Sequence, residues 1–284
     1  MTRFASITSV LLTTAAAPSF ADGHAGTMGY ALANNGTTLV TMDSIAEPGA
    51  INTFELSTPL AGIAYRPVTG ALVGIADGAV YTVNAMTGEL TDLGATFADE
   101  ATIASGAMTA FDFNNAIDAV RAVTSAGANL VYFPVGFGDD DDRANSVLRF
   151  TDPFYAEGDL NVGTTPMIFA NAYTNAIAGS TASSTFQYAI DAETDSLVSL
   201  ANNAGELMTV GSITVDGAAV DFSGMGGFDI VSAAEGQDAA YAILQTEGAS
   251  TAGLYAINLE TAEATLLADL GMGGFTGFAV SMGM

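Results

Sequence analysis

The chain has 284 residues, and 31 acidic against five basic side chains give a formal net charge of −26. The cations are Arg3, Arg66, Arg121, Arg143 and Arg149; lysine, cysteine and tryptophan are absent, and His24 is the one histidine. This inventory excludes lysine Schiff-base chemistry, a thiolate nucleophile, a disulfide, a thiolate metal site and, unless His24 serves, a Ser-His-Asp triad.

Nucleic acid is excluded as a partner, because neutralising phosphates needs Lys and Arg, and anionic membrane surfaces are disfavoured for the same reason. Disorder is excluded too, since half the residues are hydrophobic and apolar strand-like segments recur along the chain. So acidic and lysine-free a surface suits a salty exterior, where ions screen its self-repulsion.

In chain order, Arg3 and the amino terminus form a small positive region. Val10-Leu11-Leu12 and Ala15–Ala17 form a short apolar run, and Pro18-Ser19-Phe20-Ala21 offers small residues to a signal peptidase. Residues 1–21 therefore read as a secretory signal peptide cut after Ala21, with a flexible terminus over 22–28 and a single domain over 29–284. The expected location is periplasmic or extracellular. No later stretch is long and apolar enough for a transmembrane helix. His24 would be third after the cut, where Asp22-Gly23-His24 could hold copper or nickel; a short terminal segment reaches that pattern cheaply, and His24 is assigned no role.

A unit then recurs. Val80-Tyr81-Thr82-Val83-Asn84, Gln187-Tyr188-Ala189-Ile190-Asp191 and Leu254-Tyr255-Ala256-Ile257-Asn258 each alternate large and small residues before an Asn or Asp, with Thr three positions further on. The alternation predicts a strand, and the Asx residue starts a tight turn into a return strand. Degraded copies lie at Val40–Asp43 and Leu130–Phe133. A second element precedes each hairpin: Gly62-Ile63-Ala64-Tyr65, Ala110-Phe111-Asp112-Phe113, Ala172-Tyr173-Thr174-Asn175 and Gly227-Phe228-Asp229-Ile230. It returns alone as Gly277-Phe278-Ala279-Val280. Four strands in about 50 residues match a β-propeller blade. The first unit, Tyr30–Leu56, lacks a first strand, and the C-terminus has a first strand with nothing after it. A ring resolves both ends. The fold class is all-β, a five-bladed propeller closed by the C-terminal strand; a sixth blade would require the stretch from Gly136 to Thr165 to hide a divergent copy. An outer-membrane barrel fits less well, because the strands are short and aromatic girdles are weak.

Several of these segments resemble a bacterial family catalogued as domain of unknown function 4394. They are Leu60–Leu72, Phe111-Asp112-Phe113-Asn114, Asp118 with Arg121, Ala172–Asn175, Asn202-Asn203 followed by Thr209-Val210-Gly211, and Gly227–Ile230. The likeness covers about residues 29–282. Ala119, Ala128 and Asn115 depart from the pattern, standing where a basic residue, an amide and a proline are expected. The resemblance implies an exported, propeller-like protein and brings no established activity.

Asp112 and Asp229 fall at equivalent places in first strands, with Ala64, Thr174 and Ala279 in the same slot elsewhere. They read either as carboxylates bonded to a neighbouring blade or as a pair near the axis able to hold a cation or act as acid and base on a glycoside. Arg66 and Arg121 are expected to pair with them. Asp139, Asp140, Asp141 and Asp142 form the densest charge run and read as a solvated loop, with calcium the alternative; their spacing is not that of an EF-hand. Gly224, Gly226 and Gly227, and Gly271, Gly273 and Gly274, read as connections between blades. Met225 and Met272 beside them read as packing or loop residues.

The expected function is a binding or envelope-matrix role with an unknown protein or carbohydrate as ligand and no required cofactor. The alternatives are a carboxylate-based hydrolase of an extracytoplasmic carbohydrate and a calcium-stabilised surface protein. The depleted side-chain inventory points away from an enzyme.

Overall fold

Alternating side chains give each strand two faces; on the inner strands both are covered, because the sheets pack side by side, whereas the outermost strands stay largely exposed. The computed structural model describes residues 26–283; the expected signal peptide, its cleavage point and His24 lie outside them. Five mainly antiparallel sheets form the blades. Blade 1 takes Gly277–Ser281 as its innermost strand, then Met28–Ala33, Thr38–Met42 and Ile51–Glu55. Blade 2 is Gly62–Arg66, Ala71–Ala76, Ala79–Val83 and Leu90–Asp92. Blade 3 is Thr109–Asn114, Ala119–Thr124, Asn129–Phe133 and Ser146–Arg149. Blade 4 is Ile168–Tyr173, Gln187–Asp191, Ser196–Leu200 and Glu206–Ser212. Blade 5 is Phe222–Ser232, Asp238–Thr246, Gly253–Ile257 and Glu263–Asp269.

The innermost strands neighbour one another in a closed ring, with Gly277–Ser281 between those of blades 5 and 2. Closure has the expected register: Phe278 stands opposite Ala31, and Ala279 opposite Tyr30. This pairing removes two edges that an open sheet would expose. The connections into blades 3, 4 and 5 each lay a short parallel strand on the outer edge of the blade they enter: Thr96–Phe97, Phe154–Tyr155 and Thr214–Val215. No sixth blade is hidden between Gly136 and Thr165, because that stretch is spent on the outer strand of blade 3 and the edge strand of blade 4.

Small residues in the innermost strands let the blades approach. A Cβ on Gly62 would stand 2.7 Å from the Phe111 Cβ, and one on Gly227 would stand 2.4 Å from the Phe278 nitrogen. Large side chains of the following blade, Ile63, Phe111, Phe228 and Phe278, fill the space so created. The apolar cores lie between neighbouring blades, and burial of these side chains is the main favourable contribution to the fold.

Two details differ from the sequence-based expectation. The Gln187 copy of the hairpin motif joins the second and third strands of its blade, whereas the Val80 and Leu254 copies join the third and fourth. The cause is local chemistry. Asn84, Asp191 and Asn258 each accept a bond from the backbone N–H two residues on, at 2.9 Å, and such a turn serves either hairpin. The second difference is that Gly224–Gly227 lie inside the innermost strand of blade 5, at a register shift between Phe222 and Gly226, and not in a connection.

Candidate functional site

Asp112 and Asp229 project from matching positions, and each reaches the backbone of the next blade. The Tyr173 N–H of blade 4 donates to Asp112 Oδ2 at 2.6 Å. The Val280 N–H of blade 1 donates to Asp229 Oδ2 at 2.6 Å, and Ile230 N–H donates to Asp229 Oδ1 at 2.7 Å. The parallel between Tyr173 and Val280 fixes the blade 4 member of the slot as Ala172 and not Thr174, which lies beyond the strand end. The backbone-bonded reading of the two carboxylates is therefore realised in the geometry.

The pair also meets across the axis. Both residues line one cavity of about 20 Å³, with Tyr65, Ala176, Ser232 and Ser281 among its other walls. Burial pushes the Asp229 carboxyl up to about 7, against the pull of the Val280 and Ile230 N–H groups. Burial, and then the charge of Asp229, raise Asp112 well above the usual carboxylate range, with the backbone N–H groups of Tyr173 and Phe113 pulling the other way.

A roof covers this end of the axis. Residues 174–186, the connection between the first two strands of blade 4, cross to three other blades. Gly179 N–H donates to Pro67 O at 2.9 Å and Ala182 N–H to Asn115 O at 3.1 Å. Ile177 bridges Ser232, and Ser183 holds Glu235 through its N–H and hydroxyl at 2.5 and 2.7 Å. The cavity beneath has room for about one water molecule, far below the few hundred Å³ of a typical ligand pocket. Deeper along the axis, Thr109 and Asn171 line a second cavity of about 10 Å³, and the Asn171 amide and Thr109 hydroxyl have no protein partner there.

Neither arginine pairs with these carboxylates. Arg66 forms its ion pair with Asp118, donating to both carboxylate oxygens. Arg121 stands opposite Asp112 in the ladder and points away along the junction of blades 3 and 4. It is buried, with donors to the Tyr173 hydroxyl at 2.8 Å, Asn129 Oδ1 at 2.5 Å and Asn203 Oδ1 at 2.7 Å. No carboxylate lies within ion-pair reach of it among the described residues. Burial raises the Tyr173 hydroxyl to about 12 although Arg121 pulls it down, so the phenol stays protonated and donates onward to Gln187 or Asn202.

The Asp139–Asp142 run does not converge on a point. Asp141 is held by Arg143 at 2.7 Å, and that guanidinium packs over Phe133 and Phe137 with centroid distances of 4.7 and 5.1 Å. The Arg143 contacts lower the Asp141 carboxyl to about 2. Among the described residues no three acidic or histidine side chains are grouped to share a metal ion.

At the opposite mouth the ring opens into a cleft of about 380 Å³, walled by blades 1, 2 and 3 and lined by Asn35, Leu60, Asp77, Ile103, Met108 and Thr276, among others. Strand direction places the two mouths at opposite ends: Leu60 precedes and Pro67 follows the same strand, as Thr276 and Met282 do for the closing strand. Sequence reasoning missed the roof and the cleft, since both are assembled from turns of different blades. The one available signal was the long interval between Tyr173 and Gln187. Among the described residues no helix is long and apolar enough to cross a membrane.

Residues 36–279 match the family described as Domain of unknown function (DUF4394). No curated protein matches the sequence. Among solved structures, an auxiliary nutrient binding protein from Bacteroides thetaiotaomicron VPI-5482 is 14% identical with a TM-score of 0.42, over 75% of this chain and 55% of that one. A protein of unknown function from the same organism is 13% identical with a TM-score of 0.46, over 89% of this chain and 56% of that one. The chain thus spans little more than half the length of these two. A nidogen/laminin complex chain is 10% identical with a TM-score of 0.45, over 89% and 97%.

Proposed function

The chain belongs to the DUF4394 family, and from that premise we propose that it is an exported propeller that binds a partner outside the cytoplasm without transforming it. One observation carries this reading. Asp112 and Asp229, the best-placed acid and base candidates, are roofed over and spend their oxygens on backbone bonds between blades. A sugar ring has no room between them, so the pair serves the ring and not a substrate. The N-terminal export pattern supports a periplasmic or extracellular place. The surface chemistry narrows the partner: Arg66, Arg143 and Arg149 are each held by an aspartate and Arg121 is buried, which leaves an anionic ligand little to bind.

The test combines binding and turnover. Purified protein is incubated with a panel of envelope polysaccharides and soluble envelope extracts, with bound material and new reducing ends both measured. Retention without turnover is expected, unchanged in Asp112→Asn. Turnover that disappears in Asp112→Asn would overturn the reading. Sequencing the amino terminus of protein exported by its native host should find Asp22 first.

A further inference from the structure

We propose that the cleft opposite the roof is a binding site for a small molecule carrying a primary ammonium group on a compact apolar body. This rests on the binding role above and gives it a place and a ligand class. The cleft has the size of a small-ligand pocket, unlike either axial cavity. Its floor is apolar: Leu60 and Ile103 are buried, and Ala61, Ala107 and Met108 continue the wall.

Four polar side chains line it: Asn35, Asp77, Ser105 and Thr276. Asp77 is the one charged residue lining it. Its Oδ1 accepts the Ile103 N–H at 3.0 Å, which fixes the carboxylate at the rim, and no described protein group donates to its Oδ2. Thr276 also lines the cleft, with its own hydroxyl turned into the protein and buried. A carboxylate with a free oxygen beside an apolar floor suits a cationic donor with a hydrocarbon body. An anion would meet the carboxylate with no compensating cation, in a protein already strongly acidic.

The walls are set by close packing. The Gly36 N–H and carbonyl belong to the turn that rests on Leu60: Leu60 N–H donates to Gly36 O at 2.9 Å, and a Cβ on Gly36 would fall 1.9 Å from Leu60 O. That glycine also has φ of 78°, so a side chain there is strained as well as obstructed. Thr276 is anchored through its N–H to Leu32 O at 2.9 Å, so the cleft depends on the closed ring.

The experiment is titration calorimetry on the mature protein at about 0.15 M salt. It uses cyclohexylamine, cyclohexanol and cyclohexanecarboxylate as probes of one shape and three charges. Saturable binding of the amine alone is expected, weakened about tenfold or more in Asp77→Asn. Asp92→Asn, an exposed acid on the outer strand of blade 2, should leave it unchanged, and Ala107→Phe, which fills the cleft and keeps its charge, should abolish it. Equal binding of the alcohol, an equal loss in Asp92→Asn, or no binding of the amine would overturn the proposal. If the amine fails while envelope material is still retained without turnover, the ligand class falls and the binding role stands; carbohydrate turnover lost in Asp112→Asn would overturn the binding role itself.

Discussion

The junction of blades 3 and 4 and the junction of blades 5 and 1 use the same device and support it in opposite ways. In each, an innermost-strand aspartate takes the N–H of the next blade at 2.6 Å. Around Asp229 the junction is apolar, with Val40, Met42, Ile243, Leu254, Phe275 and Phe278 packed together. Around Asp112 the apolar cluster is smaller, and the buried Arg121, Asn129, Tyr173 and Gln187 form a polar network beside it that reaches the half-buried Asn202 and the exposed Asn203. The difference follows from how the chain runs. Blades 3 and 4 are joined by a continuous connection, so their docking tolerates a network whose worth depends on every partner being present. Blade 5 is continuous only with the closing strand Gly277–Ser281, and the rest of blade 1, with Val40 and Met42, comes from the far end of the chain. Non-directional apolar burial gives that docking a favourable term before any hydrogen bond is aligned.

The largest expected effect comes from breaking the closing strand. Val280→Pro removes the donor to Asp229 and places proline inside a strand paired with Met28–Ala33. A loss of about 3 kcal/mol or more is expected, read as a large drop in Tm by circular dichroism, with fluorescence and ellipticity no longer melting together. A single unaltered transition would mean that the ring does not depend on this strand. Next comes Arg121→Met, which leaves the Tyr173 hydroxyl and the Asn129 and Asn203 carbonyls short of a buried donor. A cost of about 3 kcal/mol is expected in denaturant unfolding, with pairing to Asn203→Ala strongly non-additive. Additive costs would show that the network acts as separate contacts.

The third effect is on pH dependence. A carboxyl whose pKa is higher in the folded than in the unfolded state binds more protons when folded, so stability is full at low pH and is lost as pH rises. For Asp229, raised by burial to about 7, the loss runs from the ordinary carboxylate range up through neutrality. Asp112, raised in the same direction, adds to it. Tm should fall by several degrees between about pH 5 and pH 8 at high salt, where repulsion among surface carboxylates is screened. Asp112→Asn should flatten the profile at a modest cost, because its one carbonyl oxygen can still accept from Tyr173 but not from Phe113 as well. Asp229→Asn should flatten it at a similar cost, because one oxygen cannot serve both Val280 and Ile230. Unchanged profiles in both variants would place the pH sensitivity on the surface.

The ring was legible because its evidence is periodic: Gly227-Phe228-Asp229-Ile230 and Gly277-Phe278-Ala279-Val280 align without gaps, and the missing strands at the two ends complement each other. The slot shared by Asp112 and Asp229 was legible for the same reason. Its blade 4 member was not, since Ala172 and Thr174 have the same parity and only the bond from Tyr173 separates them. The arginine partners were misjudged because opposite charge in register suggests contact. Arg121 is opposite Asp112, but a long side chain chooses among all donors and acceptors within its reach. The roof left no side-chain signature: its Gly179 and Ala182 contacts are made by backbone, which any sequence can supply.

The smallest expected effect tests the acidic turn against the roofed pair, two acidic places that compensate their charge differently. At the axis, carboxylates are buried and compensated by backbone N–H groups. At Asp139–Asp142 they face solvent, and Arg143 supplies the counter-charge to Asp141 through two bonds, at 2.9 and 2.7 Å. A calcium ion would have to displace that guanidinium from Asp141 and from its stacking on Phe133 and Phe137, or else bind Asp139, Asp140 and Asp142 without it. Millimolar calcium is therefore expected to leave Tm unchanged within error, whereas a ligand that binds only the folded state raises it. Arg143→Ala sharpens the experiment, because it frees Asp141 and should let a weak calcium response appear. A rise in the unaltered protein that Asp139→Asn with Asp140→Asn removes would assign a metal to the turn and make it, unlike the axis, a place where charge is compensated from solution.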